Sequence, residues 1–254
     1  MIPREENDGL RPLRPALHAR EQILTAILGG QYPPGTALPG ERDLARRLGV
    51  TRPTLRETLQ SLAGEGWVVI RQGKSTLVND FWKNGGLSIL STLARYIEFL
   101  PSDFVTHLLE LRLDLIPAIA RRAVQKDPEA ILSHLAAAST LSDDGGEFSR
   151  FDWKLQDLMA HASGNPLFPM ILNDFSRLFV MLAAFYFATP RGRASSLSYY
   201  DKLARAIREK ADVDEIVAET MRESIEIWES LRQQAGSGPA AQKGKKARKD
   251  SSQE

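Results

Sequence analysis

Residues 38–78 read LPGERDLARRLGVTRPTLRETLQSLAGEGWVVIRQGKSTLV, and this stretch decides the fold of the N-terminal third. Leu44 and Leu48 fall on one face of a short helix, roughly Gly40 to Leu48, that ends at Gly49-Val50. Thr51 then offers a side-chain oxygen as an N-cap, and Pro53 sits in the first turn of the next helix, where a missing N–H costs nothing. That helix carries Leu55, Leu59 and Leu62 on one stripe and stops at Gly64-Glu65-Gly66. Two apolar runs follow, Trp67–Arg71 and Ser75–Val78, around the Gly-bearing loop Gln72-Gly73-Lys74, and the pattern predicts a β-hairpin. Two short helices across a tight turn, followed by a hairpin, form a winged helix-turn-helix, a module whose partner is duplex DNA.

Upstream, Leu17, Ile23, Leu24, Ile27 and Leu28 recur at helical spacing from Ala16 to Gly29, which predicts a supporting helix. Residues 1–14 scatter two prolines among charges and read as a disordered arm. The winged module is thus placed at 15–79, with a linker at 80–86 in which Phe81 and Trp82 are the packing anchors. From 87 to 234 there are only helical patterns, broken near Pro101, Asp127-Pro128, Asp143–Gly146, Gly164–Pro166, Pro190–Gly192 and Ala211-Asp212. This predicts a second, all-α domain of about seven helices, with Pro117 inside one of them. The fold class is mainly α with a small β wing. Residues 235–254 are too polar to pack and read as a disordered basic tail.

Charge is concentrated where phosphate would be met. Residues 40–74 hold seven Arg or Lys against four carboxylates, and the tail holds five against two, although the whole chain carries only +1. That suits nucleic-acid binding better than general stickiness. The tail Lys243–Lys249 either adds non-specific DNA affinity or merely solubilises the end. With no cysteine, no Gly-rich phosphate loop, no serine elbow and no placeable carboxylate pair, the chain is expected to be no enzyme and to need no cofactor. Its start lacks the pattern of a signal peptide and it holds no unbroken run of 18 apolar residues, so a cytoplasmic protein with no membrane partner is expected.

In a helix-turn-helix the second helix aims its first residues at base edges. Arg52 and Arg56 are the candidate base readers, because a guanidinium can donate two parallel bonds to guanine. Thr51 and Thr54 carry short hydroxyls suited to phosphate or a nearby base, Arg42 can reach the backbone, and Gly73 with Lys74 can enter a minor groove. In the second domain, Leu109, Phe179, Phe185, Tyr186, Phe187, Tyr199, Tyr200 and Trp228 supply apolar area with a few polar tips. Such a set either fills a core or lines a site for a long apolar ligand.

The string YPPGTALPGERDLARRLGVTRPTLRETLQSLAGEGWVVIRQGKSTLVNDFW (residues 32–82) resembles the GntR family of bacterial regulators. The helical remainder, with VNDFWKNGGLSILSTLARY, YFATP and EIW, is similar to the family's branch that responds to fatty acyl-CoA. The resemblance covers residues 16–230. It implies a homodimeric transcription regulator on a pseudo-palindromic operator, released by long-chain fatty acyl-CoA, with repression and activation both open. It also implies DNA contacts at Arg42, Thr51, Arg52, Thr54, Arg56, Gly73 and Lys74, and ligand contacts at Arg112, Tyr186, Ser224 and Trp228. Pro53, Gln72 and Met221 depart from the branch's pattern. Many relatives hold a metal with one aspartate and three histidines. Here Asp152 is followed by Gln156, and the other two positions are Tyr200 and Ser224, so no metal is expected. The alternative is a regulator of the same architecture that senses a different small organic acid.

Overall fold

The structure is a computed structural model that describes residues 14–236. Those residues divide into two compact units, with the boundary between Leu100 and Pro101. The expected N-terminal arm up to residue 13 and the basic run 243–249 lie outside the described residues.

In the first unit, α1 (Pro15–Leu28), α2 (Glu41–Leu48) and α3 (Arg52–Gly64) form a three-helix cluster. Its core comes from the apolar stripes read above: Ile23, Leu24, Leu44, Leu55, Leu59 and Leu62 are all buried. Gly49 adopts φ 65° as it ends α2, a left-handed turn that glycine takes without Cβ strain. Thr51 caps α3 by accepting a bond from the Thr54 amide at 3.3 Å. Removing that oxygen in Thr51→Ala is expected to lower the stability of this unit by about 1 kcal/mol. Urea unfolding followed by circular dichroism would measure it.

The wing is smaller than the apolar runs suggest. Strand β1 is only Val68–Val69 and β2 only Leu77–Val78, antiparallel, with Val68 opposite Val78. Val69 and Ile70 are exposed, so no burial extends the ladder past the second residue. The loop between the strands runs from 70 to 76 and is braced by Arg71, whose guanidinium donates twice to the Ser75 carbonyl at 3.2 and 3.0 Å. A third segment joins the sheet: Ala37 bridges Leu77, and Leu38 N–H donates to the Thr76 carbonyl at 2.8 Å.

The expected linker at 80–86 is structured and belongs to the first unit. Phe81–Asn84 form the short helix α4, and Phe81 is buried with its ring 4.9 Å from Trp67. Trp82, the other expected anchor, is half-exposed beside Phe81. Helix α5 (Ser88–Leu93) buries Ile89 and Leu93, and a 3-10 turn (Ile97–Phe99) completes the unit. Arg20 on α1 forks onto Glu65 through two 2.6 Å bonds and reaches Thr92 on α5 at 3.2 Å, tying α1, the end of α3 and α5 together.

The second unit is all-helical: α6 (Phe104–Lys126), α7 (Pro128–Ala136), a 3-10 turn (Ala137–Thr140), α8 (Gly145–Ala162), α9 (Leu167–Ala188), α10 (Pro190–Glu209) and α11 (Asp214–Gly236). With α5, seven α-helices lie between Ser88 and Gly236. The breaks seen in the sequence are helix caps. Asp127, Asp144 and Thr189 each accept a bond from an amide three residues on, at 3.1, 2.7 and 3.0 Å, and Pro128 and Pro190 occupy first turns. Helix α6 runs through Pro117.

Helix α6 packs on α11 and α8, and α10 closes the bundle against α7, α9 and α11. Its core includes Ile131, Leu155, Met159, Leu203 and Val217. Helix α9 is the exception, burying only Leu178, Ala183 and Phe187 out of 22 residues. By length and composition it could cross a membrane, a property hidden from a search for an unbroken apolar run by Asn173, Asp174, Ser176 and Arg177. Here it packs on α8 and α10.

Candidate DNA-binding surface and effector cavity

The exposed face of the first unit gathers the predicted cations at the start of α3. Arg52 and Arg56 are exposed, one turn apart, and neither supports the core. The Thr51 and Thr54 hydroxyls lie 2.9 Å from each other, which fixes both at the helix N-terminus, where the dipole favours an anion. Arg42, 83% exposed, stands in the first turn of α2 with only a 4.0 Å approach to Asp43.

Two ion pairs escape the sequence reading. Arg56 contacts Glu41 at 2.9 Å while remaining 62% exposed, and Arg46 is held by Asp43 at 3.0 Å. Exposed pairs of this kind contribute at most ~1 kcal/mol, so a phosphate or a base edge can displace the carboxylate. In the wing, Gly73 has φ 68° and no atom within 4 Å of where a Cβ would sit, so its backbone is open to close approach. Lys74 is exposed beside it, whereas Arg71 is committed to Ser75.

Within the second unit, α6, α8, α9, α10 and α11 line a cavity of about 110 Å³ that is partly open to the surface. Arg112 on α6, Tyr186 on α9, and Ser224 and Trp228 on α11 all line it. Its walls are otherwise mostly Leu, Ile and Phe. Of the expected aromatic supply, Phe179, Tyr186, Phe187, Tyr199 and Trp228 reach the cavity. Phe185 points outward and is exposed, and Tyr200 is consumed by the core. Arg112 places its guanidinium carbon 5.8 Å from the Phe179 ring centre, a cation–π contact at the cavity wall. Ser224 donates to the Thr220 carbonyl at 2.9 Å along its own helix, which leaves its oxygen free to accept.

Several polar groups on this wall did not stand out in the sequence as ligand contacts. Asp152 is buried and accepts a bond from the Tyr200 hydroxyl at 3.0 Å. Burial pushes its carboxyl above the ordinary aspartate value of 3.8, and the Arg112 charge and the Tyr200 bond pull back only part of that shift. Burial, with the Asp152 charge, likewise raises the Tyr199 and Tyr200 phenols, so both keep their protons. Gln156 lies near enough to Asp152 to favour its carboxylate, but neither amide atom makes a hydrogen bond of proper geometry. The Tyr199 hydroxyl and the Trp228 Nε1 are also buried without partners.

Folded Asp152 holds its proton to a higher pH than the unfolded chain does. Its contribution to stability is therefore most favourable below 3.8 and declines as pH rises from there through the raised folded value. Asp152→Asn, which can still accept the Tyr200 bond, is expected to remove that slope. Thermal unfolding of both proteins across the acid range checks it, and parallel pH profiles would contradict it.

Among the described residues no group of three His, Cys, Asp or Glu side chains is placed to hold a metal ion. His134 stacks on Phe151 and bonds its carbonyl at 3.1 Å, and His161 bonds the Asp157 carbonyl at 2.8 Å.

A winged helix-turn-helix with exposed cations on its second helix, followed by an all-helical unit holding an apolar cavity, defines a class: the DNA-binding regulator with a ligand-sensing domain. Residues 15–78 match the bacterial regulatory proteins of the gntR family, and residues 79–238 match the FadR C-terminal domain. The chain is 38% identical over 220 residues to the fatty acid metabolism regulator protein of Serratia proteamaculans and 39% identical to that of Yersinia enterocolitica. In each case the match covers 86% of this chain and 92% of the relative. Among solved structures, Lar of Listeria monocytogenes, described as controlling expression of the agr system, shares the fold at a TM-score of 0.50. It is 19% identical, over 87% of this chain and 95% of that one. The chain belongs to the fatty acid metabolism regulator (FadR) family within the gntR regulators. Residues 79–100, which match the C-terminal domain family, pack with the first unit.

Proposed function

We propose that this protein is a cytoplasmic, homodimeric transcription regulator of fatty acid metabolism that leaves its operator when a long-chain fatty acyl-CoA enters the helical unit. It binds this effector without turning it over. Two copies of α3 enter successive major grooves, so the operator is pseudo-palindromic. Arg52 and Arg56 read bases, Arg42, Thr51 and Thr54 hold the backbone, and Gly73 with Lys74 serves the minor groove. The observation that carries the effector reading is the cavity, apolar along its length, with Arg112, Tyr186, Ser224 and Trp228 on its walls. Apolar walls suit an acyl chain, and the guanidinium, phenol, hydroxyl and indole suit the thioester and the start of its headgroup.

The cavity's 110 Å³ is well below the ~300–1,000 Å³ of sites that enclose a drug-sized ligand. A long chain must therefore move a wall. Helix α9 is the wall with the fewest buried residues to displace. A state with α9 shifted outward binds the chain better than the closed state, and that differential affinity is the only source of free energy the switch has. Calorimetry with oleoyl-CoA against pyruvate, lactate and citrate tests the reading. Saturable binding of the thioester alone is expected, and binding of a small acid alone would reject it.

A further inference from the structure

One wall of the cavity carries more hydrogen-bonding capacity than the protein uses. Gln156 on α8 is 3% exposed and lines the cavity, and both its Nε2 and its Oε1 lack a partner. Tyr199 on α10 is 2% exposed and lines the same cavity, and its hydroxyl also lacks one. Both side chains neighbour Asp152, which places them in one region of the wall. Three neighbouring hydroxyls already donate. Thr220 and Ser224 donate to carbonyls of their own helix at 3.0 and 2.9 Å, and Tyr200 donates to Asp152. A buried amide or phenol without a partner costs its full desolvation, so such atoms are uncommon unless a ligand or water completes them.

The three unused atoms specify a complementary group. Nε2 donates, Oε1 accepts, and the Tyr199 phenol, which keeps its proton, donates. A hydroxyl oxygen accepts from both donors while its hydrogen goes to Oε1, pairing with the amide in a ring as water does. A ketone oxygen would satisfy the two donors and strand Oε1. A methylene would strand all three.

We propose that the cavity recognises a hydroxyl carried on the acyl chain, with Gln156 and Tyr199 as the residues that read it. This inference rests on the acyl thioester reading above and narrows its ligand class to hydroxylated long-chain acyl thioesters.

The test is calorimetry of the full-length protein with palmitoyl-CoA and with its monohydroxylated isomers, scanned over hydroxyl position. Wild-type protein is expected to bind at least one isomer about tenfold or more tighter than palmitoyl-CoA, because the saturated chain leaves a hydrogen-bonding site unpaired. In Gln156→Leu and Tyr199→Phe the preference is expected to collapse toward unity, with palmitoyl-CoA binding retained or improved. Gln156→Met, flexible and unable to pair, serves if the leucine variant unfolds. Equal affinity for every isomer and the saturated chain would overturn the inference, as would a preference that survives both substitutions. The thioester reading would then still stand on the binding of palmitoyl-CoA. Failure of every thioester to bind would overturn that reading and this inference with it.

Discussion

Arg52→Ala/Arg56→Ala is expected to abolish sequence-specific operator binding while leaving the fold intact. Both side chains are exposed at the start of α3, so neither removal opens a core. A bidentate guanidinium on a guanine contributes ~1–3 kcal/mol of discrimination. Loss of two gives ~2–6 kcal/mol, or roughly 30-fold to beyond 10⁴-fold, if they act independently. Fluorescence anisotropy on a palindromic operator and on scrambled DNA, at one fixed salt concentration, measures it. The operator is expected to fall to the affinity of scrambled DNA. Glu41→Ala, which frees Arg56 from its 2.9 Å pair, is expected to tighten binding slightly. Retained preference for the operator in the double variant would remove α3 as the reading helix.

Trp67→Ala carries the largest expected loss of stability. The indole is fully buried and packs 4.9 Å from Phe81, joining the wing to the segment after it. Deleting a buried tryptophan costs about 3–5 kcal/mol, a large share of the ~5–15 kcal/mol that holds a domain. Trp67→Phe is expected to cost much less, because its ring keeps the Phe81 contact and it discards a buried indole N–H that has no partner. Urea unfolding followed by near-ultraviolet circular dichroism separates the two. A loss under about 1 kcal/mol in Trp67→Ala would show that the site collapses to fill the space.

The helix-turn-helix was legible in the sequence because local signals agree there: the Leu44, Leu55 and Leu59 stripe, the Gly49 turn and the Thr51 cap each point to the same geometry. The wing was less so. The run Val68-Val69-Ile70 has strand propensity over its whole length, but Val69 and Ile70 face solvent, so pairing stops early, and the Ala37 bridge depends on a segment 40 residues from Leu77. Where residues 87–100 pack was not legible for a related reason. Helical spacing at Ile89 and Leu93 tells that a face is buried, not which core buries it, and both pack in the first unit. Arg112, Tyr186, Ser224 and Trp228 sit on three helices spread over more than 100 residues, and only the family resemblance linked them. Gln156 escaped as a ligand contact, and Tyr199 stood out only as one of the aromatic supply, because an unpaired polar atom exists only once the bundle has folded around it.

The central claim is that occupancy of the helical cavity controls the grip on DNA. Operator affinity measured by mobility shift, with and without saturating long-chain acyl-CoA of increasing length, tests it most directly. The account predicts weakening of ~5–150-fold, corresponding to ~1–3 kcal/mol of coupling and growing as the chain fills the cavity. Operator affinity unchanged at thioester concentrations that saturate the protein in calorimetry would contradict it.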